Sequence, residues 1–360
     1  MVNMMRDLTI LITAAGSPSA PGLIKCLKNN GERTVRVVGT DMKADATIEQ
    51  MADIVRLVPP ASASDYVDSL LKVCEEEKVD VLIPGISQEL PQLQNRKAEF
   101  EAIGTKVSVS DGEGLLIAND KIALYEYMKA NGFSIPNFRV VKDITEFEKA
   151  CAEIGYPQKA ICVKMKDGSG SRGIRLIDPK KSRFDIFVGE KPNSFFTTYD
   201  DMISILKEAD EIPELMVMDY LPGLEYSVDL LADHGRTLYI VGRESNIINA
   251  SIPQEATLAY NEEAYDISQK IVESLELDGN VDLDFKFDEN GCPQLMEINP
   301  RLAATLSVIA AGGCNLLYLR VKQLLGEELP VVNINYGVKL KRRYHELFCD
   351  KYGNTITLEE

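Results

Sequence analysis

The chain has 360 residues, 45% hydrophobic and 26% charged. At roughly 150 residues per domain this is enough for several self-sufficient cores, which excludes disordered, fibrous and disulfide-stapled classes. An excess of 56 acids over 39 bases gives a net charge of −17, so neither nucleic acid nor a membrane surface is expected as a partner.

The apolar run Leu8–Thr13 is too short to span a membrane, is followed by no small-residue cleavage site, and reads as a buried strand. Together with Gly22–Asn29, Val35–Gly39, Tyr66–Glu77, Val79–Pro84 and Val107–Ser110 it sets the strand and helix alternation of a parallel α/β sheet. The first turn, residues 14–22, lacks the G-x-G-x-x-G of a dinucleotide site, although Asp41 stands after the second strand where a ribose-binding acid would sit. A helix is predicted from Lys121, opened by Asn119-Asp120 and stopped by Asn131-Gly132. Short extended segments and acidic helical ones such as Phe147–Ile154 follow to about residue 210, and strand signals dominate from Leu215 to Asn299. The expected domains are therefore 1–118, 119–210 and 211–360. Within the second, Lys180–Thr198, with Phe184, Phe187, Phe195 and Phe196, reads as an insertion or flap. The seven cysteines stand singly and the only histidines are His234 and His345, so reduced thiols in a cytoplasm are expected and a histidine-built zinc site is not.

Three segments carry chemistry. A strand at Ala160–Met165 contains Lys164 and leads into Gly168-Ser169-Gly170-Ser171-Arg172-Gly173, whose N–H groups could fold over a phosphate while the lysine adds a point charge. The apolar strand Leu215–Tyr220 breaks at Pro222-Gly223 between Asp219 and Glu225, freeing backbone to pair with a flat base and a carboxylate to accept from ribose hydroxyls. In Val281–Phe287 strict alternation puts Asp282, Asp284 and Lys286 on one face, and across a turn at Asp288–Gly291 the return strand puts Glu297 and Asn299 on one face. A hairpin centred on Asn290-Gly291 sets Asp284 opposite Glu297 and Asp282 opposite Asn299, an acidic face that magnesium would relieve, with Arg301 just beyond to brace a phosphoryl group.

The glycine loop behind a strand lysine, the Asp-Tyr-Leu-Pro-Gly-x-Glu segment and Glu297-Ile-Asn-Pro-Arg301 together resemble the ATP-grasp superfamily, especially its carbamoyl-phosphate-synthetase-like and carboxylate–amine ligase branches. The resemblance covers nearly the whole chain and implies an α/β fold, a parallel preATP-grasp domain followed by a two-lobed α+β ATP-grasp fold. It implies that Lys121 and Lys164 contact ATP phosphates, that Gly168, Ser169, Gly170, Ser171 and Gly173 belong to a mobile phosphate-covering loop, that Met218, Asp219, Tyr220 and Leu221 form the adenine hinge, and that Glu225 meets the ribose. Asp284, Glu297 and Asn299 would bind Mg2+, and Arg301, Asn299 and Arg243 would be catalytic. Asp219 departs from the family's more frequent glutamate. The implied reaction joins a small carboxylate to an amine through an acyl phosphate, with ATP and Mg2+ as cofactors and a homodimer left open. The rival readings are a carbamoyl-phosphate-synthetase-like component using bicarbonate, a nucleotide-binding protein without turnover, and a dehydrogenase built on the first domain.

Overall fold

The computed structural model describes residues 5–43, 46–166, 172–249, 252–343, 346, 348–351 and 355–356. The chain divides into two compact units, one of Met1–Asn119, Glu225–Asp284 and Ile298–Glu360, the other of Asp120–Leu224 and Phe285–Glu297. Among the described residues no helix is long and apolar enough to cross a membrane.

The first unit begins with five parallel strands, β1 (Leu8–Ile12), β2 (Val35–Asp41), β3 (Ile54–Leu57), β4 (Val81–Ile83) and β5 (Lys106–Val107), in the order β3-β2-β1-β4-β5. Both faces of β1 are covered, so apolar residues run without a break from Ile10 to Ile12. Ile10 and Ile12 enter one cluster with Leu23 and Leu27 of the helix Ala20–Lys28, while Leu11 enters another with Leu70 and Phe100. The first cluster also takes in Leu231, Val241, Leu258, Leu306 and Leu317, so residues more than two hundred positions apart share one core. Each such buried aliphatic side chain contributes about 1.5–3 kcal/mol. Asp41 accepts the Gly16 N–H at 2.9 Å and so closes the turn after β1.

The second unit holds β6 (Phe138–Val141), β7 (Ile161–Met165), β8 (Arg175–Ile177), β9 (Phe196–Thr197) and β10 (Leu215–Asp219), in the order β6-β10-β7-β8-β9. The predicted helix is Lys121–Ala130, and the Asp120 carboxylate accepts the Ile122 and Ala123 N–H groups at its start. Ile161 and Val163 of β7 pack with Phe147 and Ile154, whereas Cys162 packs with Tyr125, Met216 and Met218 on the other face. Period two puts Lys164 on the Cys162 face. The 180–198 segment is no bare flap, because it contains a helix, Arg183–Gly189, opened by a Ser182/Asp185 capping box, and β9 pairs in parallel with β8.

The remaining large sheet is built of β11 (Glu225–Asp233), β12 (Arg236–Asn249), β13 (Ile252–Leu258), β14 (Gly279–Phe287), β15 (Pro293–Asn299) and β16 (Lys339–Lys341), in the order β15-β14-β11-β12-β13-β16. The border between the units falls inside the β14–β15 hairpin, after Asp284 and before Ile298. A helix, Glu262–Ser274, interrupts the run of strand signals between β13 and β14. Asn261 caps it, and Ala264, Tyr265, Ser268, Ile271 and Val272 bury one face.

Candidate functional site: a lysine cluster and an acid–arginine cluster

In the second unit Lys164 is the anomaly. It is 5% exposed and, among the described residues, has neither a hydrogen bond nor a carboxylate oxygen within 4.0 Å. Burial pulls its pKa below the ordinary 10.5; Cys162 and Glu297 oppose that shift, and Lys121 and Lys286 add to it. Lys121 opens its helix and lies 3.7 Å from Glu297, while Lys286 sits 5.7 Å from the centre of the Tyr220 ring. Two further lysines thus add positive charge around Lys164, and Glu297 is the carboxylate that acts on it. A group of anionic oxygens would balance them. The helix carrying Lys121 is held in place by Tyr125, fully buried, whose hydroxyl donates to the Leu295 carbonyl of β15 at 2.8 Å.

Met218, buried, is the last apolar residue of β10, and Leu221 is buried beyond it. After Asp219 the chain leaves the ladder, and neither Tyr220 nor Leu221 makes a backbone hydrogen bond to a described residue. The Asp219 side chain is already engaged: it accepts from the Asn137 N–H at 2.9 Å, from the Asn137 amide at 2.8 Å and from Lys159 at 2.5 Å. The shorter acid therefore ties β10 to the approach to β6, which leaves backbone as the free recognition surface here. Gly168, Ser169, Gly170 and Ser171 lie outside the described residues. Gly173 has φ +72° at the root of that loop, and a Cβ there would come within 2.5 Å of Met165, so only glycine fits the return.

In the first unit, β11, β12 and β14 bring acids and arginine together. Arg243, 3% exposed, donates through Nε to Asp229 at 2.7 Å and through Nη2 to Asp282 at 2.9 Å. Burial raises the Asp229 pKa against the pull of Arg243. Asp284 accepts from the Ser227 hydroxyl at 2.6 Å, and the Asn299 amide lies 3.4 Å from Asp282 and 3.2 Å from Asp284. Arg301 donates to the Asn299 oxygen at 3.0 Å, to the Leu302 carbonyl at 2.7 Å and to the Ser87 hydroxyl at 3.0 Å. Glu225, exposed, opens β11.

Sequence reasoning missed Lys286, Ser227, Asp229 and Ser87 as members of these clusters. The alternation that put Lys286 beside the two acids was a usable signal. Ser87 carried none, because its partner Arg301 is 214 positions away. The backbone just before Ser87 is held by a buried carboxyl: Glu89, 0% exposed, accepts from Thr13 at 2.6 Å and from the Gly85 and Ile86 N–H groups at 2.9 and 3.0 Å.

Two family models match this chain: residues 211–344 fit the ATP-grasp described as acting in the biosynthetic pathway with the Ter operon, and residues 10–108 fit the PylC-like N-terminal domain. Residues 211–344 thus match an ATP-grasp family model. Among curated proteins it is 22% identical over 286 residues to the carbamoyl phosphate synthase large chain of Pseudothermotoga lettingae, covering 75% of this chain and 23% of that one. The chain spans less than half the length of the curated relatives it matches. Its fold is that of N5-carboxyaminoimidazole synthetase from Staphylococcus aureus complexed with ADP (TM-score 0.67, 18% identity, 92% of this chain and 82% of that one). An L-amino acid ligase from Bacillus licheniformis shares it too (TM-score 0.60, 13% identity, 89% and 75%). The chain thus combines a parallel amino-terminal sheet with a mixed sheet that carries Lys164 and a further sheet that carries the acid cluster.

Proposed function

We propose that this chain is an ATP-dependent carboxylate–amine ligase of the ATP-grasp superfamily. A carboxylate oxygen attacks the γ-phosphorus of ATP, ADP leaves, and an amine then attacks the acyl carbon, expelling phosphate and giving an amide. The observation that carries the reading is Lys164, a buried lysine with no hydrogen bond or ion pair among the described residues, in the field of Lys121 and Lys286. Such a cluster suits polyphosphate, since three lysines spread the charge of phosphoryl transfer without acid–base chemistry by the protein. The structural relatives named as an ADP complex and as a ligase agree with it.

Asp284, Glu297 and Asn299 offer the hard-oxygen donors that magnesium would take, and Asp284 with Asn299 forms a polar pair braced by Ser227. Bound there, the ion would neutralise and orient the phosphate oxygens. Arg301 would steady the acyl phosphate, its guanidinium aimed by Ser87 and Asn299. Arg243, with Nε and Nη2 on carboxylates, would act by fixing Asp282 within the acid cluster. In this reading residues 119–210 form the lobe carrying the phosphate-covering loop, 211–360 the lobe carrying the magnesium ligands, and 1–118 a domain on the substrate side. The test is ADP and phosphate release with ATP, magnesium and a panel of amino acids and small carboxylates, with products identified by mass. Glu297→Gln should lower turnover by about 100-fold or more while leaving the melting temperature in place. Near-normal turnover in that variant would take the hairpin out of the mechanism.

A further inference from the structure

Glu89 is fully buried, and among the described residues no basic nitrogen lies within 4.0 Å of its carboxylate. Its oxygens are spent on four neutral donors. Oε1 accepts from the Thr13 hydroxyl and from the Gly85 and Ile86 N–H groups, and Oε2 accepts from the Tyr66 hydroxyl. Burial raises its pKa above the ordinary 4.5, and these four donors pull the other way. A carboxylate buried on neutral donors is a costly way to stabilise a fold, so what it holds in place matters more than what it contributes in energy.

The donors come from three places in the first unit. Thr13 follows β1, Gly85 and Ile86 follow β4, and Tyr66 opens the helix Tyr66–Glu77. β1 and β4 are neighbours, and the strand order reverses between them, so the loops leaving their carboxyl ends part at this point. Glu89 holds the two loops together. The Gly85 N–H also reaches the Thr13 hydroxyl at 2.7 Å, and a Cβ on Gly85 would collide with the Thr13 carbonyl oxygen. Glu89 is also the third residue of the single turn Ser87–Glu89, and the Ile86 N–H that it accepts belongs to the N-cap of that turn. Ser87 is therefore the residue this arrangement presents. Its carbonyl accepts from the Asn119 amide at 3.1 Å, and its hydroxyl accepts from Arg301 Nε at 3.0 Å. The other contacts of Arg301 go to Asn299 and Leu302, which move with it. Among the described residues, Ser87 alone ties this guanidinium to a distant part of the chain.

We infer that Glu89 is a positioning residue for Arg301: its buried carboxylate fixes the turn that offers the Ser87 hydroxyl, and through that hydroxyl the direction of the guanidinium. The consequence for an acyl phosphate rests on the ligase reading; the link from Glu89 through Ser87 to Arg301 does not, so the first readout needs neither nucleotide nor substrate. It is the Arg301 Nε–H resonance of the full chain labelled with 15N-arginine, assigned through Arg301→Lys. Ser87→Ala and Glu89→Gln should each shift it and speed its exchange with water by about 10-fold, as for loss of one hydrogen bond made by a charged group. Glu101→Gln, an exposed reference in the same unit, should leave it in place. Tyr66→Phe, which takes one donor from Glu89 and leaves the turn intact, should shift the resonance in the same direction and serves if Glu89→Gln does not fold. The second readout is amide formed per phosphate released with the substrate panel. It should fall in Ser87→Ala and Glu89→Gln, because water then competes for the acyl carbon, while the KM for ATP stays within about 2-fold. A resonance unmoved in Ser87→Ala would overturn the inference. So would one that moves there but not in folded Glu89→Gln, or in Tyr66→Phe where Glu89→Gln does not fold. A resonance that responds as expected in a chain that forms no amide would leave the positioning standing and the ligase reading fallen.

Discussion

Arg243 and Lys164 are buried to nearly the same depth, 3% and 5% exposed, one in each unit, and their surroundings are opposite. Arg243 has a carboxylate on each of two donors, and the sheet is built around that contact. Lys164 has no acid within 4.0 Å among the described residues; Cys162, Glu297 and two other lysines act on it from further away. A buried charge whose partners come with the fold is architecture. A buried charge whose partners are missing costs stability until a ligand supplies them.

The comparison is broken most forcefully at Arg243. Arg243→Met strands Asp229 and Asp282 in the sheet interior and should cost about 3–5 kcal/mol of unfolding free energy by denaturant titration. A loss under about 1 kcal/mol would mean that the acids relax or take up protons freely, and the paired cation would lose its structural role. Glu77 sharpens the contrast from the acid side. It is buried and held by Arg36 and Arg56, and the Arg36 contact leads in keeping its pKa below the ordinary carboxylate range. With the folded pKa depressed, the stabilisation is present above the unfolded value of 4.5 and is lost as pH falls through the folded one. Glu77→Gln should therefore melt lower than wild type at pH 7 and converge with it in acid. Parallel acid limbs in the two proteins would contradict the pairing. An uncharged contact gives the baseline. Asn261→Ala, which removes the cap from Glu262–Ser274, should cost about 1 kcal/mol by the same denaturant titration, independent of pH.

Much of the frame was legible in the sequence because its signals are local. Asp120 capping Lys121–Ala130 and the alternation of Val281–Phe287 depend on residues within a turn or a strand of one another. The helix Glu262–Ser274 was not legible amid strand signals, although Asn261 followed by two glutamates is a start signal. β3 escaped notice because its residues are half-buried or exposed, without an apolar run. The residue types of the candidate site could be named from the chain, yet their company could not. Asp219 is engaged by residues 82 and 60 positions away, and that no described acid lies within 4.0 Å of Lys164 is a property of the folded molecule alone.

The central claim is that Lys164 waits for phosphate, and calorimetric titration of ATP with magnesium into wild type and Lys164→Met, paired with their melting curves, tests it most directly. Removing an unpartnered buried charge should leave the empty variant melting at or above wild type, because methionine fills the space without the desolvation cost. ATP affinity should fall by about 10-fold or more, the equivalent of one charge-assisted contact. A variant that binds ATP as tightly as wild type would contradict the account and reduce Lys164 to a buried charge without a ligand.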